Sequence, residues 1–143
     1  MPKFSKESLD KLATCDPRLQ KVFNEVIKHV DCTIIEGHRG QEKQDEYYRT
    51  GKSQKKWPNG EHNATPSRAV DAMVYPLDWS DKGTTRQCLF AGFVLGTAKS
   101  LGITLRWGGD WDSDYNLREH TLFDTPHFVV VIVTGKQIGR AHV

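Results

Sequence analysis

Apolar residues recur at spacings of three and four through Leu19, Val22, Phe23, Val26, Ile27 and Val30, and this stripe predicts an amphipathic helix. Asp16-Pro17 stands where a helix takes its N-cap and first residue, so the helix starts there. Ahead of it, "SKESLDKLATC" reads as a shorter helix with Ser5 or Ser8 as cap. "CTIIEG" is strand-like, and "QEKQDEYYRTG" is a polar helix that Gly51 closes. "KSQKKWPNGEHNATPS" is a long polar loop, a kind of segment that is usually functional. "RAVDAMVY" alternates as a strand, and "TTRQCLFAGFVLGTAKSLG" is the most apolar helix, ended by Gly102. "ITLRW" is a strand followed by the glycine turn "GGDWDSDY", and "HFVVVIV" is a β-branched strand. Together these elements predict an α+β fold with a small, mostly antiparallel sheet flanked by helices.

The chain has 143 residues, enough for one domain with one core, and it shows no internal repeat or linker. With 37% apolar and 27% charged residues it is expected to be globular. The net charge of +2 comes without a dense basic stripe, which argues against nucleic acid as a partner. A weakly cationic surface does tolerate an anionic polymer such as a cell wall. No run of about 18 apolar residues exists, so membrane insertion is not expected. The N-terminus "MPKFSKESLDKL" has no apolar core and is not a secretory signal, which places the start of the protein's life in the cytoplasm. Cys15, Cys32 and Cys88 form no CxxC pair and read as buried reduced thiols, not as a disulfide framework or a thiolate zinc site.

Two places break the apolar pattern. In "RAVDAMVY" the alternation puts Ala69, Asp71, Met73 and Tyr75 on one face and Val70, Ala72 and Val74 on the other. Asp71 thus interrupts an apolar strand, where a carboxylate must be paired, hydrogen-bonded or bound to metal. His127 leads "HFVVVIV", and Asp124 lies three residues earlier in "DTPHF". If the two strands are neighbours, Asp71 and His127 converge, and His62 can fold in from the loop as a third ligand. Two histidines and a carboxylate leave a fourth position open, as in catalytic zinc sites. Nitrogen and oxygen ligands without cysteine suit zinc better than calcium or magnesium. Asp124 is then the spare carboxylate that takes a proton from water. At this level Asp71 can equally be a structural carboxylate bonded to backbone amides, and His29, His38, His120 and His142 compete as ligands. A cysteine hydrolase, which would need a thiol set close to a His and an Asp, is disfavoured.

"GHRGQEKQ", "EHNATPSRAVDAM", "RWGGDWD" and "DTPHF" occur in that order. Together they resemble the VanY-type zinc peptidases, which include D-alanyl-D-alanine carboxypeptidases and phage L-alanyl-D-glutamate endopeptidases. The likeness is strongest to the short phage endolysins. It implies a Hedgehog/DD-peptidase-like single domain over residues 1–134. It further implies one zinc ion per chain held by His62, Asp71 and His127, with Asp124 as general base and Arg39 on the substrate carbonyl. Gln44 matches the glutamine after that arginine, and Trp107, Asp110 and Trp111 lie in a turn near the cleft, which makes these four the expected substrate contacts. One departure stands out: in the family pattern the first histidine precedes the aspartate by seven residues, whereas Ala64 fills that place here and His62 stands nine before Asp71. The ending "IGRAHV" also matches one reading frame of a common sequencing adapter, so residues 135–143 are expected to be a non-native or disordered tail.

The activity implied is hydrolysis of a peptide bond in the peptidoglycan stem, L-alanyl-D-glutamate above others. The alternatives are a D-Ala-D-Ala carboxypeptidase or dipeptidase of the same chemistry and a non-catalytic zinc-binding module. Peptidoglycan is the expected partner. Without a signal peptide, a monomer in the host cytoplasm would reach the cell wall or periplasm only after a separate holin-like protein permeabilises the membrane.

Overall fold

The computed structural model describes residues 2–110, 113 and 124–132. The elements are α1 (Lys6–Leu12), α2 (Pro17–Val26), β1 (Cys32–Glu36), α3 (Gln41–Thr50), a 3-10 turn (Glu61–Asn63), β2 (Ala69–Val74), α4 (Asp81–Ser100), β3 (Leu105–Trp107) and β4 (His127–Val130). Trp111, His120, His142 and the expected tail 135–143 lie outside the described residues. Among the described residues no helix is long and apolar enough to cross a membrane.

Helix starts follow the predicted caps. Ser5 Oγ accepts the Ser8 N–H at 3.1 Å, and the Asp16 carboxylate accepts the Arg18 N–H at 2.8 Å with Pro17 behind it. α2 closes at Val26, short of the full apolar stripe. The stripe nevertheless continues through turns, since Ile27 N–H donates to the Phe23 carbonyl and Val30 N–H to that of Val26. α4 starts at Asp81, three residues before the predicted Thr84, because Ser80 caps it by accepting the Gly83 N–H. Gly83 is required there, as a Cβ would stand 1.9 Å from the Asp78 carbonyl oxygen.

The four strands form one antiparallel sheet in the order β1-β2-β4-β3. Ile34, Val70, Ala72, Leu105, Trp107, Phe128 and Val130 share one core with Leu19, Val22, Phe23 and Val26 of α2 and Phe90, Ala91, Val94 and Ala98 of α4. Phe128 is its centre, edge-on to Phe23 at 5.7 Å and to Phe90 at 6.4 Å between ring centroids. α1 lies against β1, whose Ile34 N–H donates to Ser8 Oγ at 3.0 Å, so a side chain covers part of this sheet edge.

A bulge in β1 decides what faces the opposite side of the sheet. Ile34 pairs with Ala72, but Glu36, not Ile35, pairs with Asp71. The extra residue flips the alternation, so Glu36 joins Asp71 on one face instead of following Cys32 and Ile34 into the core.

Gly108 ties the end of β3 to the turn that leads into β4. Its N–H donates to the His127 carbonyl at 2.8 Å, and its carbonyl accepts the Asp124 N–H at 2.9 Å. A Cβ there would lie 2.1 Å from the Asp124 carbonyl oxygen. Gly108→Ala is therefore expected to lose about 1–3 kcal/mol of stability, as overpacking does. Urea unfolding of the two proteins checks it, and an unchanged midpoint would contradict the close approach.

Candidate metal centre and active site

Asp71 and His127 are direct cross-strand partners in the β2–β4 pair. Residues so placed bring their side chains together on one face. His127 Nδ1 lies 3.2 Å from Asp71 Oδ1. His62 arrives from the 3-10 turn, and its Nε2 lies 3.2 Å from the same oxygen. One ligand atom from each of the three residues falls within 4.8 Å of the others. The imidazole rings meet edge-on at 5.1 Å.

The nine-residue spacing still delivers His62. Ser67 is fully buried and tied down: its N–H donates to the Thr14 carbonyl at 2.9 Å, and its carbonyl accepts the Asp16 N–H at 2.8 Å. Thr65 and Pro66 are exposed, so the added length loops out into solvent and leaves both ends in place. On the other side, the His62 carbonyl accepts the Arg39 N–H at 2.8 Å.

The surroundings set how His62 presents itself. Its Nδ1 lies 2.7 Å from the Gly37 carbonyl, which only accepts, so Nδ1 carries the proton. In the neutral ring the lone pair is then on Nε2, aimed at a carboxylate oxygen. Two lone pairs cannot face each other across 3.2 Å unless a proton or a cation lies between them. A histidine whose second nitrogen donates to a backbone carbonyl is the usual form of a metal ligand. In a tetrahedral zinc site with bonds near 2.1 Å, ligand atoms lie roughly 3.4 Å apart; the two N···O separations here are 3.2 Å. The donor set and its spacing fit a small divalent cation.

The titration of these groups reflects the same crowding. Burial pushes the Asp71 carboxyl up, but hydrogen bonds from His127 and His62 more than offset it and hold the group well below the usual carboxylate range. Burial pushes His62 down, and its bond to Asp71 outweighs that, leaving it above the ordinary 6.5.

Asp124 opens the turn that ends at His127, whose N–H donates to the Asp124 carbonyl at 3.2 Å. Its carboxyl is raised above the ordinary value, first by burial and then by the charge of Asp71, with His127, His62 and Arg39 acting in the opposite direction. Three groups fix this turn. Gln87, fully buried on α4, accepts the Val74 N–H at 3.0 Å and donates to the Ala72 carbonyl at 2.8 Å and the Thr125 carbonyl at 3.0 Å. Trp107 Nε1 donates to the same Thr125 carbonyl at 2.7 Å. The Pro126 carbonyl accepts the Ala72 N–H at 2.9 Å. One glutamine thus locks the strand that carries Asp71 to the turn that carries Asp124 and His127.

Arg39 is buried beside this cluster. Its Nε donates to Glu36 Oε1 at 3.0 Å, its Nη2 also donates to Glu36 Oε1, and its Nη1 donates to Gln44 Oε1 at 2.9 Å. Tyr47 lies under the guanidinium, 4.6 Å from ring centroid to Cζ. Three of the five guanidinium N–H groups are used in these contacts. Lys43 Nζ closes the group, 2.5 Å from Glu36 Oε2. Burial pushes the Glu36 carboxyl up, but Arg39 and Lys43 outweigh it and hold it below the ordinary 4.5. A depressed carboxylate contributes stability above its unfolded pKa and loses it as pH falls through the folded value. Glu36→Gln is therefore expected to cost roughly 1–3 kcal/mol at neutral pH. The deficit should shrink progressively below about pH 4.5. Denaturant unfolding of both proteins at several pH values measures this; a deficit constant with pH would exclude the ionic origin.

The other expected site residues have partners of their own in the fold. Gln44 is fully buried and spends its amide on the protein: its Oε1 accepts from Arg39 and Asn63, and its Nε2 donates to Ser53 Oγ at 3.0 Å and to the Lys55 carbonyl. It holds Arg39 and the 53–63 loop. Trp107 is buried in the core and braces Thr125, and Asp110 is buried with its N–H on the Trp107 carbonyl at 3.0 Å. Both contribute to the framework of the turn. Trp111 is outside the described residues. His29 is exposed and pairs with Glu25 at 3.0 Å, and His38 is exposed beside Thr65. Cys15 and Cys32 are buried, and burial pushes their thiols up to about 11 and about 12, which rules them out as thiolate nucleophiles at neutral pH.

Comparison with known proteins points one way. The pattern of the family described as "Phage L-alanyl-D-glutamate peptidase" matches residues 1–131. The L-alanyl-D-glutamate peptidase of Escherichia phage T5 is 34% identical over 121 residues, which cover 80% of this chain and 86% of that protein. The crystal structure of the Serratia marcescens L-Ala D-Glu endopeptidase ChiX is similar with a TM-score of 0.70 at 27% identity, covering 90% of each chain.

Proposed function

This chain belongs to the phage L-alanyl-D-glutamate peptidase family, and from that premise we propose that it is a zinc peptidase that cleaves the L-alanyl-D-glutamate bond of the peptidoglycan stem. The observation that carries this reading is the convergence of His62, Asp71 and His127 within 4.8 Å. These three residues would hold the ion. Bound zinc supplies Lewis acidity, polarising a carbonyl and lowering the pKa of water toward about 7.

The remaining steps fall to this chain's own side chains. Asp124 accepts the proton of the attacking water and passes it to the leaving amine. Its half-buried position and the neighbouring Asp71 raise its basicity, as proton transfer requires. Arg39 faces the oxygen of the scissile carbonyl as negative charge develops there. Glu36, Gln44 and Tyr47 hold its guanidinium in one orientation beforehand, so little reorganisation accompanies the reaction. Gln87 and Trp107 keep the Asp124–His127 turn in register with Asp71. Access from the host cytoplasm to the wall through a separate membrane-permeabilising protein completes the proposal.

Digestion of purified peptidoglycan, followed by mass spectrometry, tests this. New L-alanine C-termini and D-glutamate N-termini are the expected products. Release of D-alanine would move the chain to carboxypeptidase activity, and no cleavage by the zinc-loaded protein would leave a binding module.

A further inference from the structure

Three cations gather on one tyrosine at the edge of the site. The Tyr47 ring centroid lies 4.6 Å from Arg39 Cζ, 5.3 Å from Lys52 Nζ and 5.5 Å from Lys43 Nζ. Among the described residues, Glu36 is the one carboxylate that pairs with any of them, and it serves both Arg39 and Lys43. Three positive charges against one negative leave the group cationic. Glu36 is the cross-strand partner of Asp71, so the group borders the metal ligands. The Lys43 side chain is 51% exposed, against 9% for Glu36, so its ammonium has a face toward solvent. An ammonium has three donors, and Glu36 takes one direction of them.

We infer that Lys43, with Lys52 beside it, receives a carboxylate of the substrate on the amine side of the cleaved bond: the free α-carboxylate of the D-glutamyl residue. This rests on the peptidase reading above. That carboxylate is one carbon away from the scissile nitrogen. A carbonyl lying against Arg39 and the metal ligands therefore brings it to the neighbouring cations. Charge-assisted bonds of this kind are about twice as strong as neutral ones. The Tyr47 ring face attracts both ammonium groups and keeps them from dispersing. The subsite makes Lys43 and Lys52 specificity residues: they select an acidic residue after the cut, and they would reject the same residue once its carboxylate is amidated.

Three synthetic L-alanyl-D-glutamyl peptides test the assignment: one with all carboxyl groups free, one amidated at the glutamyl α-carboxyl, and one amidated at its terminal carboxyl. The zinc-loaded protein is expected to cleave the α-amidated peptide with kcat/KM about tenfold lower, corresponding to about 1.4 kcal/mol, and the other two alike. Lys43→Met keeps the alkyl stem and should lose about the same factor on the free peptide. It should change the α-amidated one by less than about twofold, with zinc content unaltered. Lys52→Met should do so in smaller measure. Equal rates on all three peptides, a loss confined to the terminally amidated one, or a Lys43→Met defect equal on every substrate would each overturn the inference. Cleavage of none by the wild-type protein would overturn the peptidase reading with it.

Discussion

His127→Ala is expected to abolish metal binding and lower peptide hydrolysis by at least about 10³-fold. The physical reason lies in the shared Asp71 oxygen. His127 and His62 both approach Asp71 Oδ1 at 3.2 Å, so the three side chains form one donor set and not three independent contacts. With His127 removed, one imidazole and one carboxylate would remain, one donor short of the three protein ligands that catalytic zinc sites use. The loss in rate follows from the chemistry zinc supplies: free water has a pKa of about 15.7, against about 7 when zinc activates it. Zinc per chain, measured by elemental analysis, should fall from about one to near zero. His62→Ala should behave in the same way despite its longer spacing. Retained zinc with retained activity in either variant would remove that residue from the ligand set.

Asp124→Asn separates chemistry from metal binding. The turn around Asp124 is held by backbone groups and by Gln87 and Trp107, none of which uses the carboxylate. The variant should therefore fold, keep about one zinc per chain, and lose about 10²–10⁴-fold in kcat, the range of general acid–base catalysis. Its stability should move the other way in chelator-treated protein. Burial and the Asp71 charge raise the Asp124 carboxyl in the folded state. A raised carboxylate favours the protonated form in the native state, so its ionisation destabilises the fold above the folded pKa and has no effect below the unfolded one. The asparagine variant should be more stable than the parent at neutral pH, and the two should converge as pH falls below about 4. Thermal unfolding across pH reads this directly. A variant that keeps full activity would assign the proton transfer to another group.

Much of the fold was legible because period and caps agreed. The stripe from Leu19 to Val26, the Asp16-Pro17 start and the β-branched run after His127 each became the predicted element. Asp71 was legible for the same reason: a carboxylate on an alternating apolar strand has to be accounted for. His62 was harder, since nothing in a polar loop tells which residue turns inward; that depends on the tethers at Ser67 and Arg39. Glu36 was missed because strict alternation sends it to the core with Cys32 and Ile34, and only the bulge reverses it. Gln87 did leave a sign. It occupies the stripe Gln87, Phe90, Ala91, Val94, Ala98 on the buried face of α4, where a polar residue needs partners. What sequence periodicity could not supply was which distant carbonyls it would meet.

The sheet order also governs how the molecule comes into being. β4 lies between β2 and β3, although it is the latest of the four in the chain. Until residues 127–130 have been synthesised and inserted, β2 and β3 each lack a neighbour, and exposed strand edges invite pairing with other chains. The pairing of Asp71 with His127 closes a span of 56 residues, a non-local contact that forms slowly and late. The same insertion that closes the sheet brings His127 to Asp71. A nascent chain released before Thr125 would lack His127 and leave strand edges open, so the candidate site and the sheet are completed in a single step.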